Sequence, residues 1–172
     1  RIARATGAKL TLLRAVAPLE DLAWQARGMA MNIAQVFERE RAEASSYLQR
    51  IGAIEPLQGL DVHTQVVQGH PVQAILYEAQ TYAMDLIVMC SHGDSGVKRW
   101  MMGSVSRKVA RHRHVPVLLL RPQDNGTIAQ FPEELRQVRI LVPLDGSPLA
   151  EEALAPAMAL CKAVSPTKPA AL

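Results

Sequence analysis

The sequence is poor in aromatic residues and in charge of one sign. Aromatic residues make up 4% of its 172 residues and hydrophobic residues 49%, so the core must be built mainly from aliphatic side chains. The charged fraction is 20% and the formal net charge is +3. This composition is typical of a folded globular chain. It excludes intrinsic disorder and gives no basis for a nucleic-acid partner.

Long apolar runs and cysteines are also scarce. No stretch approaches the roughly 18 consecutive apolar residues of a membrane span, so we predict no membrane partner. The two cysteines, Cys90 and Cys161, lie in apolar stretches without metal-ligand spacing. They predict buried, reduced thiols in a cytoplasmic protein. A redox-sensor role for Cys90 is less favoured, because a cysteine at a strand end among apolar neighbours is usually inert.

Recognisable catalytic motifs are missing. The sequence contains no Walker loop, no G-x-G-x-x-G after its first strand and no nucleophile elbow. Its five histidines stand at no metal-ligand spacing with carboxylates. We therefore predict neither catalytic residues nor a metal site.

What the sequence does contain is an alternation of apolar strands and amphipathic helices. Near-continuous apolar strands separated by helices indicate an α/β fold with a parallel sheet and helices on both faces. After a polar linker the pattern restarts with a strand at 138–144 and a helix that runs to residue 164. Pro156 predicts a kink or break in that helix. The predicted strands are 10–17, 61–68, 84–90 and 115–120, and the predicted helices are 27–51, one from Pro71, and 104–113.

The loop after the third strand is a candidate anion site. Gly93 permits close backbone approach, and Gly103-Ser104 opens a helix whose free N–H groups favour an anion. The hydroxyls of Ser104 and Ser106 could donate as well, and Lys98 and Arg99 could neutralise phosphate charge. Each feature also has an ordinary structural explanation, as a turn glycine, a helix cap or a solvated side chain.

A second loop, at residues 143–147, follows the restarted strand. The Asp145 carboxylate can accept hydrogen bonds from a ribose or from a polar base edge. An aspartate after a strand can instead form a turn or cap the next helix, so both interpretations stay open. In open α/β sheets, ligands bind beyond the carboxyl ends of the strands, where both loops are predicted to lie.

These residues resemble the universal stress protein family. The stretch Cys90-Ser91-His92-Gly93, then 94–102, then Gly103-Ser104 is similar to the family's nucleotide-binding motif. That motif is G-x-x-G, nine residues, and a glycine followed by serine or threonine. Cys90 replaces its first glycine. The stretch RILVPLDGSPLAEEALAPAMALCKA resembles the family's opening strand and first helix, and the resemblance leaves out only the linker and the tail.

The resemblance implies a site for ATP or AMP, with or without magnesium. Asp145, with Pro143 and Leu144 beside it, would bind the adenine or ribose. Ala15 would offer its backbone to the base, and Met89 would line the adenine pocket. The other site residues that the motif implies, around the ribose and phosphates, are Cys90, His92, Gly93, Gly103, Ser104 and Val105.

The family fold implied by the resemblance is an open five-stranded parallel sheet of order 3-2-1-4-5, of the adenine nucleotide α-hydrolase type. In that fold the aspartate-bearing strand comes first and is central, whereas here its counterpart stands near the end. We therefore expect 1–122 to form a domain lacking its first strand, 123–137 a linker, and 165–172 a tail. Residues 138–164 would supply the first strand and helix of a second copy. They would complete the sheet within one chain or by a swap between two, as expected of a fragment of a tandem protein.

The function implied by the resemblance is nucleotide binding in a stress response, by a homodimer with at most a slow ATPase activity. The alternative is a dimeric protein-interaction or regulatory module of the same fold that binds no nucleotide. In that case the strand at 115–120 would form the dimer surface, and Cys90 would mark a lost pocket.

Overall fold

A computed structural model of the protein describes residues 2–25, 32–91, 103–112, 115–121 and 140–164. The chain forms two compact units, one of residues 10–129 and one of residues 1–9 with 130–172. The predicted linker at 123–137 and tail at 165–172 lie outside the described residues. In chain order the elements are α1 Ile2–Thr6, β1 Leu10–Val16, α2 Leu19–Gln25, α3 Ile33–Gly52, a 3₁₀ turn Glu55–Leu57, β2 Val62–Gln68, α4 Pro71–Thr81, β3 Ile87–Cys90, α5 Ser104–Ala110, β4 Val117–Leu120, α6 Pro148–Glu151 and α7 Leu154–Val164.

The strands of the larger unit pair in parallel. β1 pairs with β2, from Leu10 opposite Val62 to Val16 opposite Gln68. β3 pairs with β4, from Ile87 opposite Val117 to Cys90 opposite Leu120. The prediction of an α/β fold with parallel strands is therefore confirmed. The described residues form two two-stranded sheets, so the five-strand order stays a prediction.

The helices of the larger unit cover these ladders. α3 packs against β1 and β2, α4 packs against β1 and α5, and α5 packs against β4. The buried core is aliphatic and made largely of small side chains, as the low aromatic content predicts. Its described members are Val16, Leu22, Ala44, Leu48, Ala74, Ala79 and Val109.

The first long helix differs from its prediction at the amino-terminal end. Asn32 caps α3, because its side-chain oxygen accepts a hydrogen bond from the Gln35 N–H at 3.3 Å. The predicted start at residues 27–31 lies outside the described residues. Ahead of it, α2 was not predicted. It begins after Pro18, whose carbonyl accepts the N–H groups of Asp21 and Leu22, and its burial of Leu22 is a tertiary effect without a strong periodic signal.

The smaller unit contains α1, α6 and α7, and α1 packs against α7. The predicted break near Pro156 is confirmed, since the helix is interrupted at residues 152 and 153. Proline lacks the N–H that would bond to the carbonyl four residues earlier, and its ring clashes with that carbonyl. That carbonyl belongs to Glu152, so the interruption falls where the proline acts.

Residues 140–145 form neither helix nor strand. The strand predicted at 138–144 thus has no ladder partner among the described residues, and residues 138 and 139 lie outside them. A strand is stable only when a neighbour satisfies its backbone groups. Completion of the sheet by this segment, in either form, stays a prediction.

Candidate functional site

The loop after β3 is closed at its base by three hydrogen bonds. The Gly103 N–H donates to the Ser91 carbonyl at 2.8 Å. The Ser106 hydroxyl lies 2.8 Å from the same Ser91 oxygen and 3.0 Å from the Gly103 carbonyl. Ser91 in turn donates its N–H to Leu120 of β4 at 2.8 Å. The start of α5 is therefore fixed to the carboxyl end of the β3/β4 ladder.

This arrangement corrects the expectation for Ser106. Its side chain is 3% exposed and its hydroxyl is used inside the protein, so it anchors the loop and is not a ligand group. The Gly103 N–H is likewise already paired. Ser104 is exposed, and the N–H groups of Ser104 and Val105 stand in the first turn of α5, where the helix offers no acceptor. These two residues are the part of the predicted anion site that remains open.

The strand ends of the larger unit hold three more predicted site residues. Ala15 lies one residue before the end of β1, opposite Val67, and is half-buried. Met89 is half-buried on β3, and Cys90 is the last residue of that strand. Cys90 is exposed and Cys161 is half-buried, so the expectation that both thiols are buried was wrong. Cys90 is exposed because it is the last residue of β3, where the ladder ends.

The middle of the motif lies outside the described residues, so its predicted role stays a prediction. His92, Gly93, Lys98 and Arg99 lie outside the described residues. What the larger unit brings together is therefore the base of the loop, Ser91, Gly103 and Ser106, with Cys90 at its edge.

In the smaller unit, Asp145 forms a tight turn. Its Oδ1 accepts the Ser147 N–H at 2.9 Å, and Gly146 adopts a φ of +85°, which favours glycine. Ser147 caps α6, because its Oγ accepts the Ala150 N–H at 3.2 Å. The interpretation of Asp145 as a turn-forming residue is therefore confirmed for its Oδ1 atom. Pro143 and Leu144 precede the turn and are exposed.

The turn also stabilises the charged form of the Asp145 carboxyl group. Hydrogen bonds from Ser147, first from its side chain and then from its backbone, hold the pKa of Asp145 below the ordinary value of 3.8. The carboxylate is therefore charged at neutral pH. An exposed, charged acceptor suits a sugar hydroxyl or an amino group and repels a phosphate.

A cavity at the carboxyl ends of β1 and β2 was not predicted from the sequence. It has a volume of about 280 Å³ and is lined by Val16, Phe37, Arg41, Val66 and Gln68. Arg41 lies on α3, where charged residues between apolar ones indicate only a solvated face. Pairing in register places Val66 and Gln68 at the strand end, and only the three-dimensional packing brings Arg41 over them.

The described part of the chain contains neither a candidate metal site nor a candidate membrane-spanning helix. There, no group of three or more histidine, cysteine or acidic side chains is placed to hold a metal ion. No described helix is both long enough and apolar enough to cross a membrane.

The parallel α/β ladders and the anchored glycine-serine loop define a class of protein, and comparison with known sequences identifies it. The sequence model of the universal stress protein family matches residues 1–121. The chain belongs to this family. Universal stress protein MJ0531 of Methanocaldococcus jannaschii is 32% identical over 89 residues, which cover 52% of this chain and 51% of that protein. Universal stress protein YxiE of Bacillus subtilis is 41% identical over 63 residues, covering 37% and 43%.

Solved structures support the fold. Hypothetical protein MJ0577 superposes with a TM-score of 0.56 at 23% identity, covering 67% of this chain and 77% of that one. Hypothetical protein PH0823 superposes with a TM-score of 0.51 at 23% identity, covering 72% and 87%. The chain spans about half the length of the curated relatives it matches, 51% and 43% for the two named.

Proposed function

We propose that this chain binds an adenine nucleotide, ATP or AMP, and acts as a dimeric regulatory protein in a stress response. The observation that carries the proposal is the anchored loop. Ser91 holds Gly103 at 2.8 Å, so the exposed start of α5 and the strand end at Cys90 stay close together. A preorganised loop loses less entropy when it closes on a ligand than a loose one.

The loop offers the chemistry that a phosphate chain needs. The backbone N–H groups of Ser104 and Val105 and the exposed Ser104 hydroxyl are donors that a phosphate oxygen can accept. Gly93 is the proposed point of close approach, and His92, Lys98 and Arg99 add polar and positive groups in the same motif. Family membership supports this assignment, because the motif that these residues match is the family's nucleotide-binding motif.

The nucleoside end needs different groups. In the proposal, Asp145 accepts hydrogen bonds from the ribose or the adenine amino group, with Pro143 and Leu144 beside it. Its Oδ1 accepts the Ser147 N–H in the turn, and the proposal uses the remaining acceptor capacity of the carboxylate. Ala15 and Met89 provide backbone and apolar contact for the base. In the proposal, ATP hydrolysis is at most a slow side activity.

Calorimetric titration with ATP and AMP, each with and without magnesium, tests the proposal. We expect saturable binding with a Kd below about 1 mM, a free energy of about 4 kcal/mol. GTP is the control for the base, and Ser104→Ala should weaken binding of ATP. No saturation by ATP or AMP up to millimolar concentration would refute nucleotide binding. Release of inorganic phosphate, measured in parallel, reports any slow ATPase activity.

A second function is favoured by one specific observation. Gly103 and Asp145, two residues that the family motif assigns to the nucleotide, already use the Gly103 N–H and Asp145 Oδ1 in hydrogen bonds within the protein. A dimeric interaction module of the same fold that binds no nucleotide would need them only for structure. Its dimer surface would be the β4 edge, whose four side chains are all half-buried. An absence of nucleotide binding together with a dimer disrupted by Leu119→Asp would favour this function.

A further inference from the structure

The cavity at the carboxyl ends of β1 and β2 lies within the larger unit, between one strand pair and one helix. Its volume is about 280 Å³, and its described lining residues are Val16, Phe37, Arg41, Val66 and Gln68. None of the described residues assigned to the nucleotide is among them. Ala15 is the neighbour of Val16 on β1, but side chains alternate along a strand, so the two point to opposite faces. The cavity is therefore built from a different set of side chains than the proposed nucleotide site.

Strand pairing and helix packing give the cavity an apolar interior. Val16 stands opposite Gln68 in the β1/β2 ladder, and Val66 lies two residues before Gln68 on the same face. α3 packs against both strands. Phe37 and Arg41 are four residues apart on α3, so their side chains project from the same side of the helix. Val16 is buried, and Phe37 and Val66 are half-buried, so three apolar side chains form the inner part of the cavity.

Two polar side chains complete the lining. Arg41 and Gln68 are both exposed, and no acidic side chain is among the described lining residues. Arg39, two positions earlier on α3, already has a carboxylate partner, because it forms an ion pair with Glu43 at 3.6 Å. Arg41 forms no ion pair within the described part of the chain. Its guanidinium is therefore available to an anion that enters the cavity.

The size and the chemistry of the lining define a class of ligand. A guanidinium binds a carboxylate through two parallel hydrogen bonds, and the Gln68 amide can donate another. The apolar side chains suit a ring, which Phe37 can contact by offset stacking or edge-to-face. Because a cavity of about 150 Å³ accommodates benzene, this one, at about 280 Å³, has room for one ring with a short acidic chain. A nucleoside triphosphate brings several negative charges, for which the described lining offers a single cation.

We propose that this cavity is a binding site for a small aromatic carboxylic acid. The Arg41 guanidinium binds the carboxylate, and the Gln68 amide donates to the same group. The ring lies among Val16, Phe37 and Val66. Its place agrees with the general rule that open α/β sheets bind ligands beyond the carboxyl ends of their strands. The site is additional to the proposed function and does not depend on nucleotide binding.

Titration of the isotope-labelled chain with phenylacetate, followed by two-dimensional NMR of the backbone amides, tests the proposal. We expect saturable shifts at Phe37, Arg41 and Gln68, with a Kd in the millimolar range that ligands of this size reach. Ser104 and Val105, which report on the proposed nucleotide site, should not shift. Phenylacetamide keeps the ring without the charge, and acetate keeps the charge without the ring. Each should bind at least about tenfold more weakly than phenylacetate.

Three variants locate the ligand. Arg41→Gln removes the charge from an exposed side chain and should weaken phenylacetate binding by about tenfold or more. Arg39→Gln changes another exposed arginine of α3 and is the matched control, so its affinity should equal that of the unmodified chain. Val66→Phe adds a ring to the lining and should abolish binding by filling the cavity. Circular dichroism verifies that each variant is folded.

Several results would overturn the proposal. One is a lack of saturation by phenylacetate up to tens of millimolar. Others are equal binding of phenylacetamide and phenylacetate, and equal affinities of Arg41→Gln and Arg39→Gln. Shifts confined to Ser104 and Val105 would assign the acid to the nucleotide site and overturn it as well. No nucleotide is present in these titrations, so failure of ATP binding leaves their outcomes unchanged.

Discussion

The Ser106 hydroxyl lies 2.8 Å from the Ser91 carbonyl, and this bond joins the end of β3 to the first turn of α5. Both side chains are buried, and the Gly103 N–H shares the same acceptor. These hydrogen bonds hold the two ends of the loop together. A motif of fixed spacing between a strand and a helix has its physical basis in such an anchor.

Ser106→Ala should therefore lower the free energy of unfolding by about 1–2 kcal/mol, because a buried hydrogen bond is lost. Ser104→Ala is the matched control. Its exposed side chain should change stability by less than about 0.5 kcal/mol. Urea denaturation of the two variants measures the difference. Equal stability of both variants would contradict the anchoring role of Ser106.

Cys90 is the exposed last residue of β3 and precedes Ser91 of this anchor. If nucleotide approaches there, Cys90→Gly should raise ATP affinity and Cys90→Val should lower it, since the Cβ substituents grow in that order. Cys90→Gly should also cost about 0.5–1 kcal/mol of stability, because glycine weakens a strand. Calorimetric titration of the three proteins checks the order. Equal affinities would show that the strand end is not in contact with the ligand.

The elements with strong periodicity were predictable from the sequence. The strands at β1 and β2 and the helix from Pro71 agree with their predictions within a few residues, since apolar spacing and a proline at the helix start are local signals. The break before Pro156 was predictable for the same reason. α2 was not, because its burial of Leu22 depends on contacts with α3 that local spacing does not encode.

For the candidate site, the sequence predicted which residues take part but not which of their side chains are exposed. The motif identified Gly103 and Ser104, but it could not distinguish an exposed Ser104 from a buried Ser106 two positions later. That difference depends on the helix phase and on the Ser91 carbonyl that Ser106 meets. The cavity beside Arg41 was not predictable, because strand register and helix packing create it.

The end of α4 gives a prediction about backbone strain. Ala83 has a φ of +47°, while its N–H bonds to the Gln80 carbonyl and the Met84 N–H bonds to the Ala79 carbonyl. This is a helix end that usually holds glycine. Ala83→Gly should raise the free energy of unfolding by about 1 kcal/mol, because left-handed backbone is strained for alanine.

Ala53→Gly is the control for that change. Ala53 ends α3 with a φ of −91°, which alanine adopts without strain. Glycine there should lower stability by up to about 1 kcal/mol through the greater freedom of the unfolded chain. Thermal denaturation compares the two variants. A loss of stability for Ala83→Gly would contradict the strain at this position.

Pro156 gives a prediction about helix content. Pro156→Ala restores an N–H that can bond to the Glu152 carbonyl and removes the ring that clashes with it. α6 and α7 should then join into one helix from Pro148 to Val164. Far-ultraviolet circular dichroism should show increased helicity. Ala157→Gly, which leaves the proline in place, is the control and should show no increase.

The Asp145 turn gives a prediction about pH. Its folded pKa lies below 3.8, so its contribution to the turn is fully present above pH 3.8 and is lost as the pH falls through the lower folded pKa. Nucleotide binding that depends on this carboxylate should therefore show no Asp145 titration between about pH 5 and 8. Asp145→Asn should weaken binding at every pH in that range, because an uncharged oxygen is a weaker acceptor. Carbon-detected NMR of the Asp145 carboxyl reports the titration directly, and a midpoint above 3.8 would contradict the hydrogen-bonded turn.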